Sequence, residues 1–180
     1  DLGVLGQLDL DDFSPDAAAS ARWTRSVLAP AERSWLESLA PCAERHGVGL
    51  YHASPRDPVW EYVLSSEIAE ASLLAAPEPL VLVGHSHVAL AFARRDERLS
   101  GGVALDGTEL DLASADRWLL NPGSVGQPRD GDPRAAYVVL DLAAGRAGFR
   151  RVPYPVERTQ EEIVRAGLPR ALAARLEHGL

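Results

Sequence analysis

The sequence contains no methionine, no lysine and only one cysteine, Cys42. A single cysteine cannot form an internal disulfide, which is typical of proteins in a reducing compartment, and we expect a cytoplasmic location. All 18 basic residues are arginines without a cluster and the net charge is −8, which disfavours binding to a nucleic-acid backbone. No apolar run approaches the roughly 20 residues of a membrane span, so no membrane partner is expected.

The missing methionine also concerns the start of the chain. It predicts that the sequence does not begin at its own translation start. A length of 180 residues is enough for one domain with a hydrophobic core. We therefore expect residues 1–180 to form a single domain that is incomplete at its N-terminus.

Hydrophobic periodicity and turn residues predict an α/β protein. The first half alternates predicted helices with short apolar strands, and Trp23 and Trp35 are expected to anchor the core. The middle is a series of short strands separated by Gly, Asp and Pro turns, and the chain closes with a helix, a Gly-Leu-Pro break and a second helix. Two stacked sheets with helices outside account best for this order. The predicted helices cover 14–28, 30–39 and 65–76, and the first strands lie within 47–55 and 79–85.

The stretch LVLVGHSHVALAF, residues 80–92, allows two chemistries. In the first, Ser86 is the nucleophile of a serine hydrolase, on a sharp turn between a strand and a helix. Val88 stands where such a turn needs a very small residue, and the following residues alternate like a strand instead of a helix. The triad order also requires a downstream histidine, and the only one is His178, near the end of the terminal helix. The serine hydrolase remains an alternative.

In the second chemistry the histidines bind metal. His52 follows one predicted strand, and His85 and His87 follow another. Ligands collect at the carboxyl ends of strands in α/β sheets, and imidazole is a usual ligand of divalent metals. On an extended backbone, the spacing of two would point His85 and His87 to the same side. Three histidines at two neighbouring strand ends therefore predict a metal site.

Three segments in this order resemble the calcineurin-like metallophosphoesterases, in the branch of small bacterial phosphodiesterases. They are YHASPRDPVWEYV, VLVGHSHVALAF and LLNPGSVGQPRDGDPRAAYVVLDL. The branch shows H-G-S-P, G-H-[ST]-H and N-P-G-S, and DLGVLG resembles the segment after its G-N-H. The resemblance implies a four-layer αββα sandwich of two stacked mixed sheets flanked by helices. It also implies phosphodiester or phosphomonoester hydrolysis by two divalent ions, drawn from Mn, Fe, Zn and Ni.

The same resemblance implies roles for individual residues. His52 and His85 would bind one metal ion and His87 the other, and Asp1 would orient a histidine that precedes it in the family. Ala53 departs from the family glycine, which would place a methyl group close to the metals or exclude a positive φ. The expected partner is a small phosphoester substrate, and a homo-oligomer is left open. The expected substrate-binding residues are Asn121, Arg129 and Arg56.

The anionic half of the family's site has no counterpart here. The family's D-x-H, G-D and G-N-H motifs would lie upstream of Asp1, together with the first strands of one sheet. Three neutral imidazoles do not offset the charge of two divalent cations, so this chain alone is not expected to hold a dinuclear centre tightly. A phosphoesterase-like module used for binding or assembly, without catalysis, is therefore a further alternative.

Overall fold

The computed structural model describes all residues from 1 to 180, which form six helices and nine strands. The helices are α1 Leu2–Leu5, α2 Pro15–Val27, α3 Pro30–Glu37, α4 Ser66–Ala75, α5 Val156–Arg165 and α6 Arg170–Ala174. The strands are β1 Cys42–Arg45, β2 Val48–Tyr51, β3 Leu80–Leu82, β4 Ala89–Arg95, β5 Arg98–Val103, β6 Glu109–Asp111, β7 Arg117–Pro122, β8 Ala135–Asp141 and β9 Arg146–Val152. Short 3-10 turns occupy Leu10–Asp12, Leu112–Ser114 and Arg175–His178.

Two compact units divide the chain. The first comprises Asp1–Ala40 with Pro155–Glu177, and the second comprises Pro41–Tyr154 with His178–Leu180. The single domain expected over residues 1–180 stays a prediction. None of the helices is both long and apolar enough to cross a bilayer.

The first unit is helical, and local signals in the sequence set its helix starts. Ser14 caps α2 by accepting a hydrogen bond from Ala17 N at 3.4 Å, and Pro15 occupies the first turn. The expectation that Trp23 and Trp35 anchor the core is wrong, since they are 39% and 62% exposed. Helix α2 buries Ala18. Trp23 follows five positions later and lies about 140° around the helix from Ala18, so it faces away from the buried side.

The second unit is built on a six-stranded sheet in the order β1-β2-β3-β7-β4-β5. Strands β2, β3 and β7 run parallel, and β1, β4 and β5 are antiparallel to their neighbours, so this sheet is mixed. Helix α4 covers one face, where Leu73 packs with Val81 and Leu119 in a core from which solvent is excluded. The short LVL run of β3 is apolar on both faces because both faces of the sheet are covered there.

A three-stranded sheet in the order β6-β9-β8 packs against the other face. Phe149 of β9 joins Leu80, Trp118 and Leu120 of the larger sheet in a second core. The predicted α/β fold with two sheets and several helices is confirmed. The smaller sheet is antiparallel throughout instead of mixed, because a four-residue turn joins β8 directly to β9.

Candidate metal centre

Two parallel strands bring His52 and His85 together. β2 and β3 pair in register from Val48 opposite Leu80, so their carboxyl ends lie at the same edge of the sheet. Just beyond, Gly84 N donates to His52 O at 3.0 Å. A Cβ on Gly84 would lie 3.2 Å from that oxygen, which is tighter than ordinary contact. Glycine therefore allows the two histidine-bearing loops to approach each other.

The backbone around Ser86 is a tight turn, contrary to the extended conformation that the sequence suggested. His85 and His87 have φ of 58° and 59°, in the left-handed region that non-glycine residues rarely occupy. Ser86 N donates to Gly84 O at 2.6 Å, which closes a three-residue turn around His85. The extended-strand prediction failed because β3 ends at Leu82, before the histidines. Such strain costs on the order of 1–3 kcal/mol per residue and persists only where surrounding contacts hold it.

Asn121 of β7 holds this turn. Its side chain is fully buried, and Nδ2 donates to Gly84 O and to Ser86 Oγ, each at 2.9 Å. Its Oδ1 accepts from Gly123 N at 3.0 Å. These three bonds use both Nδ2 hydrogens and one lone pair of Oδ1 inside the protein, and the side chain has no exposed surface, so the structure shows a positioning role. Substrate binding by Asn121 stays a prediction that no contact here supports.

His52 and His85 form a pair whose spacing suits one metal ion. His52 Nε2 lies 3.0 Å from His85 Nδ1. Two imidazole nitrogens at metal distances of about 2.0–2.1 Å are separated by about 2.9 Å at a right angle and about 3.4 Å at a tetrahedral angle. His85 Nε2 is buried without a partner in hydrogen-bond geometry. The two rings share a hydrogen bond through these nitrogens, and their separation is also one that a single divalent ion could bridge once the shared hydrogen has moved away.

The surroundings keep both imidazoles neutral. Burial lowers the pKa of His52. Burial lowers the pKa of His85 to about 4, assisted by repulsion from His52 and His87 in their protonated forms and from Arg129, against a weaker opposing effect of the Trp60 backbone. Neutral imidazole is the form that binds metal, so at neutral pH His85 has no imidazolium proton to release, and only the hydrogen shared with His52 has to move.

His87 is oriented by a backbone carbonyl. Its Nδ1 lies 2.8 Å from Gln127 O, which can only accept, so Nδ1 carries a proton and donates to that carbonyl. Arg129 N donates to His87 O at 3.1 Å and fixes the backbone of the same residue. Histidines that bind a metal ion usually donate their other ring N–H to a backbone carbonyl or carboxylate in this way.

The residues present suit imidazole binding of a divalent ion, but they do not complete a dinuclear centre. No group of three or more His, Cys, Asp or Glu side chains is placed to hold a metal ion. The nearby carboxylates of Asp57 and Glu61 have other partners: Asp57 Oδ1 accepts from Val59 N and Trp60 N, and Glu61 accepts from Ser54 Oγ. The anionic half that the resemblance implies is thus absent from these 180 residues.

The remaining predicted site residues lie in several settings. Arg129 is partly buried, donates to Gln127 Oε1 at 3.0 Å and forms no ion pair. Arg56 is exposed and lies 3.5 Å from Glu61. Ala53 is buried with a φ outside the positive range, so its methyl group is accommodated. Asp1 belongs to the first unit, at the start of α1, and its orienting role stays a prediction.

Sequence patterns did not identify two features of the site. Tyr62 stacks on His85 with ring centroids 4.0 Å apart and an angle of 19° between the planes. In the structure Val63 is buried while Trp60, Tyr62 and Leu64 are exposed, but the sequence WEYVL does not alternate between polar and apolar residues and gives no signal for Tyr62. Gln127 acts through its backbone carbonyl, so its residue type carries no information about the contact with His87.

Residues 2–145 match the family described as the calcineurin-like phosphoesterase superfamily domain. An uncharacterized protein of Methanocaldococcus jannaschii is 34% identical over 181 residues, which cover 98% of this chain and 71% of that protein. The chain belongs to the calcineurin-like phosphoesterase superfamily. Proteins of this superfamily generally use divalent metal ions, which agrees with the paired imidazoles.

Two solved structures resemble this calcineurin-like chain. A metallophosphoesterase from Sphaerobacter thermophilus is 40% identical with a TM-score of 0.86, covering 99% of this chain and 73% of that one. A hypothetical protein from Pyrococcus horikoshii is 17% identical with a TM-score of 0.72, covering 98% and 69%. The second likeness concerns the fold alone, and both agree with the two-sheet architecture.

Proposed function

We propose that this chain supplies the histidine ligands of a metal-dependent phosphoesterase centre. With two divalent ions, this centre hydrolyses phosphodiesters or phosphomonoesters. The observation that carries the proposal is the 3.0 Å separation of His52 Nε2 and His85 Nδ1 at adjacent strand ends. Membership of the superfamily supplies the reaction class. Bound divalent ions would supply an activated water and polarise a phosphoryl oxygen.

The protein side chains would have separate tasks in this centre. His52 and His85 would bind one ion through their facing nitrogens, and His87 would be a ligand of the second. Arg129 has a guanidinium without a carboxylate partner near His85, and it would contact phosphate oxygens of a small substrate. Tyr62 covers one face of the His85 ring and shields it from water.

The test is a titration with Zn²⁺ by calorimetry. We expect His52→Ala and His85→Ala each to weaken binding at least tenfold, because each removes one of two converging ligands. His46→Ala is the matched control, since His46 also has a positive φ of 54° but is exposed and away from the pair. Equal affinities of all three variants and the wild type would contradict the assignment.

The serine-hydrolase alternative receives no support from the structure. Ser86 is 3% exposed, and its Oγ accepts from Asn121 Nδ2 at 2.9 Å. A nucleophile of that class sits exposed between a strand and a helix, whereas this turn leads into strand β4.

The non-catalytic alternative is favoured by one observation, the lack of a carboxylate that joins the histidines in a metal-binding group. It differs from the main proposal in the number of metal ions that each chain binds tightly. A binding or assembly module would take up less than one tightly bound Zn²⁺ per chain even when the full-length protein is titrated. It would also show no turnover of a phosphoester.

A further inference from the structure

Tyr62 borders the histidine pair with one face of its ring. It stacks on His85 with ring centroids 4.0 Å apart and an angle of 19° between the planes. The residue nevertheless remains 42% exposed. Because the imidazole covers one ring face, the exposed surface lies on the opposite face and on the ring edges. An open aromatic face therefore lies directly beside a proposed metal ligand.

The segment that carries Tyr62 is held on both sides of this residue. The preceding residue, Glu61, accepts a hydrogen bond from Ser54 Oγ at 2.5 Å, and Ser54 is fully buried. The following residue, Val63, is 1% exposed and packs in the core covered by α4. The ring is therefore positioned before a ligand arrives, which reduces the entropy lost on binding.

Groups that suit a phosphate lie beside the same ring. His52 Nε2 and His85 Nδ1 face each other at 3.0 Å, and they would hold a metal ion. Burial is the largest cause of the low pKa of His85, and the charge of the nearby Arg129 contributes to it. The Arg129 guanidinium donates to Gln127 Oε1, a neutral group. A phosphoryl group bound there brings the group esterified to it next to the Tyr62 ring.

An open tyrosine face favours a flat aromatic occupant. Two stacked rings gain more than the burial of their area alone, because their charge distributions are complementary in an offset arrangement. Loss of an aromatic side chain that stacks on a nucleobase weakens binding about 5- to 150-fold. A simple alkyl ester offers no ring for this contact, whereas the ester of a nucleoside does.

We propose that Tyr62 is a specificity-determining residue whose open ring face stacks on a nucleobase, so that the centre prefers phosphoesters of nucleosides to phosphoesters of simple alcohols. The inference rests on the proposed function and names the class of substrate that the same centre accepts. Recognition by a flat ring uses the face of the base instead of its hydrogen-bonding edge, so we expect little discrimination between one base and another.

The test compares two diesters that release the same p-nitrophenolate. One is the p-nitrophenyl ester of thymidine monophosphate, and the other is methyl p-nitrophenyl phosphate. The ratio of their kcat/KM values is the preference for a nucleoside, and a change that affects the metal ions alone alters both values equally. The full-length protein is assayed with added Mn²⁺ as wild type and as Tyr62→Ala, Tyr62→Phe and Tyr137→Ala, after circular dichroism has shown that each variant is folded.

We expect wild type to prefer the thymidine ester at least about tenfold, and Tyr62→Ala to lose this preference through a higher KM for that ester. Tyr62→Phe keeps the ring and should keep the preference. The matched control is Tyr137→Ala, because Tyr137 is similarly exposed, at 38%, but lies on β8 of the smaller sheet. The control should also keep the wild-type preference.

A second readout detects stacking without hydrolysis. Proton NMR follows the ring protons of Tyr62, assigned by comparison with Tyr62→Phe, while thymidine monophosphate or methyl phosphate is added in the presence of Zn²⁺. We expect thymidine monophosphate to shift these protons through the ring current of its base. Methyl phosphate at the same concentration should leave them in place.

These outcomes separate the inference from the proposed function. If wild type hydrolyses the diesters equally fast after treatment with a strong chelator, or hydrolyses neither, the proposed function fails, and the NMR titration still decides whether Tyr62 stacks on a base. The inference is overturned, although the metal centre stands, if wild type shows no preference. It is also overturned if Tyr62→Ala slows both diesters equally, or if thymidine monophosphate leaves the Tyr62 ring protons in place.

Discussion

Asn121→Ala is the substitution that most directly tests how the histidine turn is held. It removes the two hydrogen bonds from Nδ2 to Gly84 O and Ser86 Oγ and leaves Gly123 N without its acceptor. The site is fully buried, so water cannot replace these bonds without rearrangement. Each bond contributes about 0.5–1.5 kcal/mol, and an unsatisfied buried donor costs about 1–3 kcal/mol.

These contributions predict a loss of about 2–4 kcal/mol in the free energy of unfolding. For a protein of this size, that corresponds to a melting temperature lower by about 5–15 °C. The left-handed conformations of His85 and His87 would also relax, because Asn121 holds the turn that contains them. Zn²⁺ affinity should therefore fall together with stability.

The assay is urea unfolding followed by circular dichroism, with Zn²⁺ titration at a temperature where the variant is folded. Gln127→Ala is the matched control, since it removes a nearby amide side chain but keeps the backbone carbonyl that binds His87. We expect the control to lie within about 0.5 kcal/mol of wild type. A loss below 0.5 kcal/mol for Asn121→Ala, with unchanged Zn²⁺ affinity, would refute the reasoning.

Two further predictions concern the same turn. Ser86→Ala removes the hydroxyl that accepts a hydrogen bond from Asn121 and should lower the free energy of unfolding by about 1 kcal/mol. Phosphoester hydrolysis should persist. Loss of activity with metal binding intact would instead support Ser86 as a nucleophile. The pKa of His85 falls from 6.5 to about 4 on folding, so at pH values between these two the unfolded chain binds more protons than the folded protein. The free energy of unfolding should therefore decrease as the pH falls from 6.5 to 4. The full pKa shift of His85 corresponds to a change of about 3 kcal/mol in the free energy of unfolding, reduced to about 1–2 kcal/mol by solvent screening. Urea unfolding of the metal-free protein at several pH values measures this change. If a His85→Gln variant showed the same pH profile as wild type, the pH dependence would not come from His85.

Local patterns in the sequence were enough to predict the site's framework. The apolar run of β3, with polar residues directly after it, placed His85 and His87 at a strand end. The cap residues Ser14 and Ser65 marked the starts of α2 and α4. These features depend on residues close together in the chain, so hydrophobic periodicity and capping preferences report them.

The parts that the sequence did not reveal depend on contacts between distant residues. The left-handed backbone at His85 and His87 carries no glycine signal, because Asn121, 34 to 36 positions away, holds the turn. The His87 contact uses a backbone carbonyl, which any residue type offers. The exposure of Trp35 was also unpredictable from its size, since apolar side chains cover much of any protein surface.

The central claim is that His52 and His85 serve a metal-dependent phosphoesterase. It is tested most directly by hydrolysis of bis-p-nitrophenyl phosphate by the full-length protein, before and after treatment with a strong chelator and after readdition of Mn²⁺ or Zn²⁺. We predict that the chelator abolishes hydrolysis, that a divalent ion restores it, and that His85→Ala is not restored. Hydrolysis at the same rate with and without the chelator would contradict the claim.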